Sequence, residues 1–433
     1  MPLLFDLFYL LALVLLLPWL VWRSMATGRY RRELSAKLLG HVAVSNLDRK
    51  PVIWFHGVSV GEIHLLGVVV AAFRKRHSDW FVVISSTTDT GLDEARKRFA
   101  DCAVIAFPFD FSWACDNALS AVRPDLVVLA ESELWPNFLA AAARRKVPLA
   151  VINARMSPRS FGRLRRVAGA ARALLFRHVS LFGVQSADYA ERFQRLGVPA
   201  AKLVVTGSVK YDGATSNRST PKAVELKRLL NLKERSVVWV AGSTHAPEEA
   251  IVLDVFARLR SRFPQLLLIL VPRHPDRFAE VADLVAKSGL PFVRRSALKD
   301  PVQQPPAVTV LDTLGELGAA WGLADVGFTG GSLDGHRGGQ SMIEPAGYGV
   351  PTLFGPHVWN FRDAARRLID VGGANMVKDP AELETKLVEL LEDPARRERM
   401  GTAARELVRE QQGATERTVD LLDNLLLLRR PGR

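Results

Sequence analysis

Several acidic and cationic side chains follow directly on apolar runs, where a strand would deliver them to the edge of a sheet. Glu62 in FHGVSVGEIH comes after the run PVIWF and a turn bracketed by Gly57 and Gly61, just where LLGVVVAAFRKR starts a helical pattern. A carboxylate there can take a proton from a substrate hydroxyl, or it can serve the helix dipole as an ordinary first-turn acid. Glu131 and Glu133 follow LVVLA in ESELWPN. Glu131, at the strand end, can orient an acceptor or tune another acid, whereas Glu133 reads as the cap of the next helix. Lys210 in TGSVKYD is a cation suited to a departing phosphate, or a hinge lysine with no catalytic part.

The second half carries a matching set. Arg273 of PRHPDRF is placed to fork a phosphate, or is a surface arginine in a turn fixed by two prolines. Ser243, Thr244 and His245 in AGSTHAPEEA stand before a helix start and read as caps and a turn as readily as ligand contacts. In TGGSLDGHRGGQSMIEP the glycines Gly330, Gly331, Gly335, Gly338 and Gly339 let backbone N–H groups approach a ligand closely. A helix beginning near Gln340 would aim its positive end at a phosphate. Glu344, one turn into that helix, can accept both hydroxyls of a ribose or act as a dipole partner. Neither GxGxxG after the first strand nor GxxxxGK[ST] occurs, so dehydrogenase and P-loop readings lack their fingerprints.

The elements that must position these residues are a long alternation of apolar runs and helical patterns. PVIWFH, WFVVISS, CAVIAF, LVVLAES, PLAVINA, LFGVQS and KLVVTG are strand candidates of the first half. SVVWVAGS, LLLILVPRH, PFVRRS, AVTVLD, ADVGFTGGS and VPTLFGP are those of the second. Such continuous Val/Ile/Leu/Phe runs belong to parallel sheets covered on both faces. The expected fold is α/β, with two doubly wound domains and a linker in YDGATSNRSTPKAVELKRLL. Ligands of such sheets bind beyond the carboxyl ends of the strands. The polar segments of the two domains are therefore expected to face one another across a cleft.

A chain of 433 residues is long enough for two cores, and 48% hydrophobic with 24% charged residues excludes a largely disordered protein. Two cysteines, Cys102 and Cys115, give neither a disulfide framework nor a zinc spacing. Residues 3–22 are apolar except for Asp6 and Pro18, and Arg23, Arg29, Arg31, Arg32 and Lys37 come after them. The expectation is an uncleaved anchor over residues 1–25 with the rest of the chain in the cytoplasm. Residues 26–212 and 213–433 form the two domains, the last helix being a candidate to cross back to the first. Net charge is +13, and no acid occurs between Asn137 and Ser186, a stretch that holds Arg144, Arg155, Arg159 and Arg163 among others. A one-signed face of this kind attracts phosphate or anionic lipid, and the anchor makes nucleic acid the less favoured partner. A solvated basic face with no partner is the plain alternative.

Taken in order, HGVSVGE, ESELWPN, NARMSPRS, TGSVKYD, AGSTH, PRHPDRF and GGQSMIEPA resemble the Kdo transferases of lipopolysaccharide biosynthesis, glycosyltransferase family 30, over nearly the whole chain. The resemblance implies a GT-B architecture of two facing Rossmann-like domains, with CMP-Kdo on the C-terminal one and a lipid A precursor on the N-terminal one. It also implies an inverting transfer with no metal and no cofactor, at the cytoplasmic face of the inner membrane. By position, Glu62 resembles the family's general base and Glu131 its second essential acid. Arg273, Gly338, Gly339, Ser341 and Glu344 fall where the family holds CMP, with Lys210 beside them. Ser59, Arg155 and Arg159 fall on the acceptor side. This chain has Gln340-Ser341 where the family's common GGHNPLEP has His-Asn, and its DGHR segment is a residue longer.

An inverting transfer is a direct displacement, so it needs one base for the acceptor hydroxyl and positive charge for the leaving phosphate. The residues above supply both. Two other functions fit parts of the pattern: a GT-B enzyme using another nucleotide sugar, and a non-catalytic, membrane-tethered binder of anionic lipid. A UDP-sugar turned over in place of CMP-Kdo would select the first, and full function without Glu62 the second.

Overall fold

The computed structural model describes residues 2–27 and 32–427. The chain forms two compact units, residues 1–212 with 412–433, and residues 213–411. Each is built on one parallel sheet of seven strands. The first sheet holds β1 (Val52–His56), β2 (Phe81–Ser86), β3 (Ala103–Ala106), β4 (Leu126–Ala130), β5 (Leu149–Ala154), β6 (Leu181–Val184) and β7 (Leu203–Val205), in the order β3-β2-β1-β4-β5-β6-β7. The second holds β8 (Val237–Thr244), β9 (Leu266–Pro272), β10 (Phe292–Arg294), β11 (Val308–Val310), β12 (Val326–Thr329), β13 (Thr352–Phe354) and β14 (Ala374–Met376), in the order β10-β11-β9-β8-β12-β13-β14. Every expected strand is present. Only β14 goes unmarked in the sequence, because it is a three-residue edge strand with a polar Asn375 at its centre.

The central strands read as unbroken apolar runs because both faces are covered. In the first unit Trp54 of β1 packs with Phe107 and Phe138 on one side of the sheet, and Ile53 and Phe55 pack with Ile63, Leu66 and Phe73 of the helix Val60–Arg76 on the other. The edge-on Trp54–Phe138 contact, centroids 5.4 Å apart, adds about 0.5–1.5 kcal/mol beyond burial. In the second unit Trp239 and Phe328 occupy one face of the sheet while Val240 and Trp321 occupy the other.

From Gln412 onward the chain returns to the first unit. Leu421, Leu422 and Leu425 of the helix Ala414–Leu427 enter the same cluster as Ile63 and Phe73, each burial contributing about 1.5–3 kcal/mol. Arg76, at the end of the helix that starts beside Glu62, pairs with Glu416, Asp420 and Asp423. The closing helix thus braces the one that carries the candidate base.

The apolar N-terminal run, the expected anchor, folds as a helix, Pro2–Thr27. Among the described residues no helix is long and apolar enough to cross a membrane. Asp6 is buried, accepting hydrogen bonds from Ser112 N (2.8 Å), Ser112 Oγ (2.5 Å) and Asn137 Nδ2 (3.1 Å). Tyr9 Oη donates to Asp110 at 3.1 Å. These bonds dock the start of the helix on the first unit, while Leu7, Phe8, Leu11, Val14 and Leu15 stay exposed. Of the basic residues after it, Arg29 and Arg31 lie outside the described residues, and Arg32 and Lys37 pair with Asp93 and Asp89.

Candidate active site

Strand order reverses between β1 and β4 in the first sheet and between β8 and β12 in the second. Beyond the carboxyl ends of the strands at such a point, open parallel sheets bind their ligands. Glu62, Glu131, His245 and the glycine-rich loop all follow one of these four strand ends.

In the first unit, β1 ends at His56 and the chain turns through Gly57, where a Cβ would stand 3.1 Å from that of Glu62. Ser59 caps the helix Val60–Arg76, its Oγ accepting from Glu62 N at 3.4 Å. Glu62 Oε2 in turn accepts from Val58 N at 2.6 Å. Glu62 therefore does part of a capping acid's work with one oxygen. Its Oε1 accepts no hydrogen bond among the described residues and is available to a substrate hydroxyl. Burial raises its pKa, the Val58 N–H opposes that, and the charge of Glu131 adds to it. Ser59, expected on the acceptor side, commits its hydroxyl to the cap.

Glu131 directly follows β4 in the left-handed region, φ 55°, where a residue with a Cβ is strained. Its side chain is buried and lies 2.9 Å from Arg155 Nε and 3.4 Å from Lys210 Nζ. Asn153, also left-handed at φ 52°, accepts from Val209 N at 3.2 Å and so fixes the backbone beside Lys210. Lys210, expected at a donor phosphate, is found on this carboxylate in the first unit. Arg159 is exposed on the helix Pro158–Arg165, together with Arg163 and Arg165, whereas Arg144 and Arg145 are both tied to Asp116.

Glu133 does not cap the next helix. The first free N–H groups of Pro136–Arg144, those of Asn137 and Phe138, donate to Asp110 at 3.1 and 2.8 Å, and the Glu133 carboxylate instead accepts from Trp135 Nε1 at 3.2 Å. Burial, and then the charge of Glu62, lifts the Glu133 pKa to about 7. Sequence reasoning also passed over His56. Its ring is fully buried, stacks on Phe107 at 3.7 Å, bonds Ser85 through Nδ1, and has its pKa pushed down to about 3 by burial. A neutral imidazole thus ends β1, packed against Phe107.

In the second unit the glycine-rich loop is folded differently from the ligand cradle its composition suggests. The N–H groups of Gly331, Ser332 and Leu333 donate to Glu248, at 2.7, 2.9 and 3.1 Å. Gly339 N and Gln340 N donate back to Gly331 O and Gly330 O, at 2.8 and 3.0 Å. Gly338 is left-handed at φ 80°, and a Cβ there would fall 2.3 Å from the Trp359 indole. The glycines chiefly admit neighbouring protein atoms. The following helix begins at Ile343, not near Gln340, and ends at Gly347, since Pro345 is tolerated only in a first turn.

Around that loop, Arg273 N donates to Thr244 O at 3.0 Å, and the Arg273 charge opposes the burial that raises the Glu344 pKa. The side chain of Glu344 still reaches solvent, and Ser341 is half-buried ahead of it. His245 is buried, its ring 5.2 Å from that of His274 and its Nε2 3.4 Å from Gln340 Nε2. Burial, with the charges of Arg337 and His274, lowers its pKa to about 4. A guanidinium, a hydroxyl, a neutral imidazole and an accessible carboxylate are the groups that can hold a phosphate and a ribose diol. Among the described residues there is no group of three or more His, Cys, Asp or Glu suited to a metal ion.

Residues 31–213 match the family profile described as 3-deoxy-D-manno-octulosonic-acid transferase (kdotransferase). The chain is 33% identical over 401 residues to the 3-deoxy-D-manno-octulosonic acid transferase of Haemophilus influenzae, covering 92% of each chain. It is 36% identical over 392 residues to the enzyme of the same name from Bordetella pertussis, covering 86% of this chain and 87% of that one. Among solved structures, UDP-GlcNAc 2-epimerase from Neisseria meningitidis bound to UDP-GlcNAc overlays with a TM-score of 0.51 at 15% identity, over 83% of this chain and 99% of that one. That last likeness concerns the fold alone.

Proposed function

The chain belongs to the 3-deoxy-D-manno-octulosonic acid (Kdo) transferase family, and from that membership we propose that it moves Kdo from CMP-Kdo to a hydroxyl of a lipid A precursor, with Glu62 as the base. The observation that carries this reading is the Glu62 carboxylate: one oxygen is fixed by Val58 N and the other is unengaged, on the strand end next to the sheet's reversal point. The acceptor oxygen attacks the anomeric carbon of Kdo as the carbon–oxygen bond to phosphate breaks. Glu62 takes the acceptor proton, and CMP leaves with the bonding pair.

Glu131 suits a different task. Arg155 and Lys210 engage its two oxygens, so it holds these cations while Glu62 takes the acceptor proton, and its charge adds to the burial that raises the Glu62 pKa. In the second unit, Arg273, Ser341 and Glu344 are the proposed contacts for the nucleotide, Arg273 meeting the phosphate and Glu344 the ribose. The proposed chemistry draws on no metal, since one departing phosphate is within the reach of protein cations.

We also propose that the acceptor is met at a membrane surface. The exposed apolar residues of the helix Pro2–Thr27 and the arginines of Pro158–Arg165 suit one leaflet and its anionic head groups. A donor screen tests the reading: CMP release from CMP-Kdo that depends on lipid A precursor, with no turnover of UDP-sugars, is expected. Turnover of a UDP-sugar with none of CMP-Kdo would refute it.

A further inference from the structure

The fully buried carboxylate of Glu248 has no place in the chemistry above, yet it bonds four backbone amides from two separate strand ends. Its Oε2 accepts from His245 N at 3.1 Å and Gly331 N at 2.7 Å; its Oε1 accepts from Ser332 N at 2.9 Å and Leu333 N at 3.1 Å. Three successive N–H groups turned on one anion are the arrangement by which glycine loops bind phosphate. Here the protein supplies the anion itself. A Cβ on Gly330 would lie 2.5 Å from Ser243 O and 2.7 Å from Glu248 Oε2, so the approach of the two loops requires glycine there.

We propose that Glu248 is a positioning residue that sets the affinity of the donor site, by holding the loops after β8 and β12 in their binding shape before a nucleotide arrives. The inference rests on the reading that this unit binds the donor nucleotide. The backbone around Arg273 and Ser341 is tied to the two loops that Glu248 joins. Thr244 O takes the Arg273 N–H, the His245 ring meets the Gln340 amide, and Gly331 and Gly330 take the N–H groups of Gly339 and Gln340, next to Ser341. Loosening Glu248 would release these groups together, and a ligand would then bear the entropy of ordering them. The adjacent Glu249 provides a contrast. It is equally buried but pairs with the Arg277 side chain at 2.5 Å, away from the loop amides.

Glu248→Gln keeps the size of the side chain and turns one oxygen into an NH2 group that faces two N–H donors. With the full-length enzyme, calorimetric titration of CMP is expected to show a dissociation constant raised about tenfold or more, and KM for CMP-Kdo raised in parallel. KM for the acceptor should not move, and kcat at saturating donor should stay within about threefold. Glu249→Gln should leave CMP affinity unchanged. A role in folding alone predicts fewer active molecules at unaltered KM, and that result would overturn the proposal. So would equal CMP affinity in Glu248→Gln and wild type, whereas no CMP binding by the wild type would remove the donor-site reading beneath it. Hydrogen exchange on the wild type serves even where the variant fails to fold. The amides of residues 331–333 should be protected without CMP and change little when it is added; strong protection appearing only with CMP would contradict the proposal.

Discussion

Replacing Glu62 by Gln separates its two structural duties. The amide oxygen can still accept the Val58 N–H that the carboxylate takes at 2.6 Å, and Ser59 still caps the helix, so the turn is expected to keep its shape. What disappears is the proton acceptor. A positioned general base contributes about 10²- to 10⁴-fold in rate, so kcat should fall by that factor, equivalent to about 2.7–5.4 kcal/mol in the barrier. Thermal stability should hold or rise slightly, because a half-buried charge has been replaced by a neutral group of the same size. CMP affinity should be unaltered, since the proposed nucleotide contacts belong to the other unit. The assay is CMP release at saturating CMP-Kdo and acceptor across the acid range. In the wild type the ionised carboxylate is the active form, so the rate should climb with pH through a pKa raised by burial and by Glu131. That limb should be absent from the variant's residual rate. A folded Glu62→Gln enzyme with kcat within tenfold of wild type, or with the same acidic limb, would refute the assignment.

Glu133 and His56 test the surroundings of that base. Because the charge of Glu62 helps hold the Glu133 pKa at about 7, Glu62→Gln should let Glu133 ionise at lower pH, as followed by carboxyl NMR titration; a Glu133 pKa unchanged or raised in that variant would contradict it. His56 concerns stability. Its folded pKa of about 3 lies below the ordinary value of 6.5, so its neutral form stabilises the first unit above pH 6.5, and that stability is lost as pH falls from 6.5 toward 3. By pH 5 the loss amounts to about 2 kcal/mol, from roughly 1.36 kcal/mol per pH unit. Urea unfolding at pH 7.5 and pH 5 should show it for the wild type, and His56→Gln should show a smaller pH difference.

What was legible in the chain followed from burial and local order. Thirteen strands announced themselves because a strand covered on both faces must be apolar throughout, and Glu62 and Glu131 were found because each lies just past such a run. The parts that sequence concealed depend on partners far along the chain. Glu248 follows a proline at the start of a helix and looks like any first-turn acid, yet three of its four amide partners lie 83 to 85 residues away. The same distance disguised the glycine-rich loop, whose amides look vacant in sequence but are occupied by that carboxylate. Asp6 looked like a flaw in a membrane span. Its partners, Ser112 and Asn137, are 106 and 131 residues away and make it a docking bond. Glu133 failed as a cap for the same reason: Asp110, 27 and 28 residues before Asn137 and Phe138, takes their N–H groups, which leaves the Glu133 carboxylate to the indole of Trp135.

Mass analysis of the product formed from lipid A precursor and CMP-Kdo tests the central claim most directly. The account predicts a lipid heavier by one or more Kdo residues, with CMP released in equal number, formed by the wild-type enzyme and reduced at least a hundredfold in rate by Glu62→Gln. An unmodified lipid despite bound CMP-Kdo, or a Kdo-bearing product formed equally fast by the variant, would contradict it.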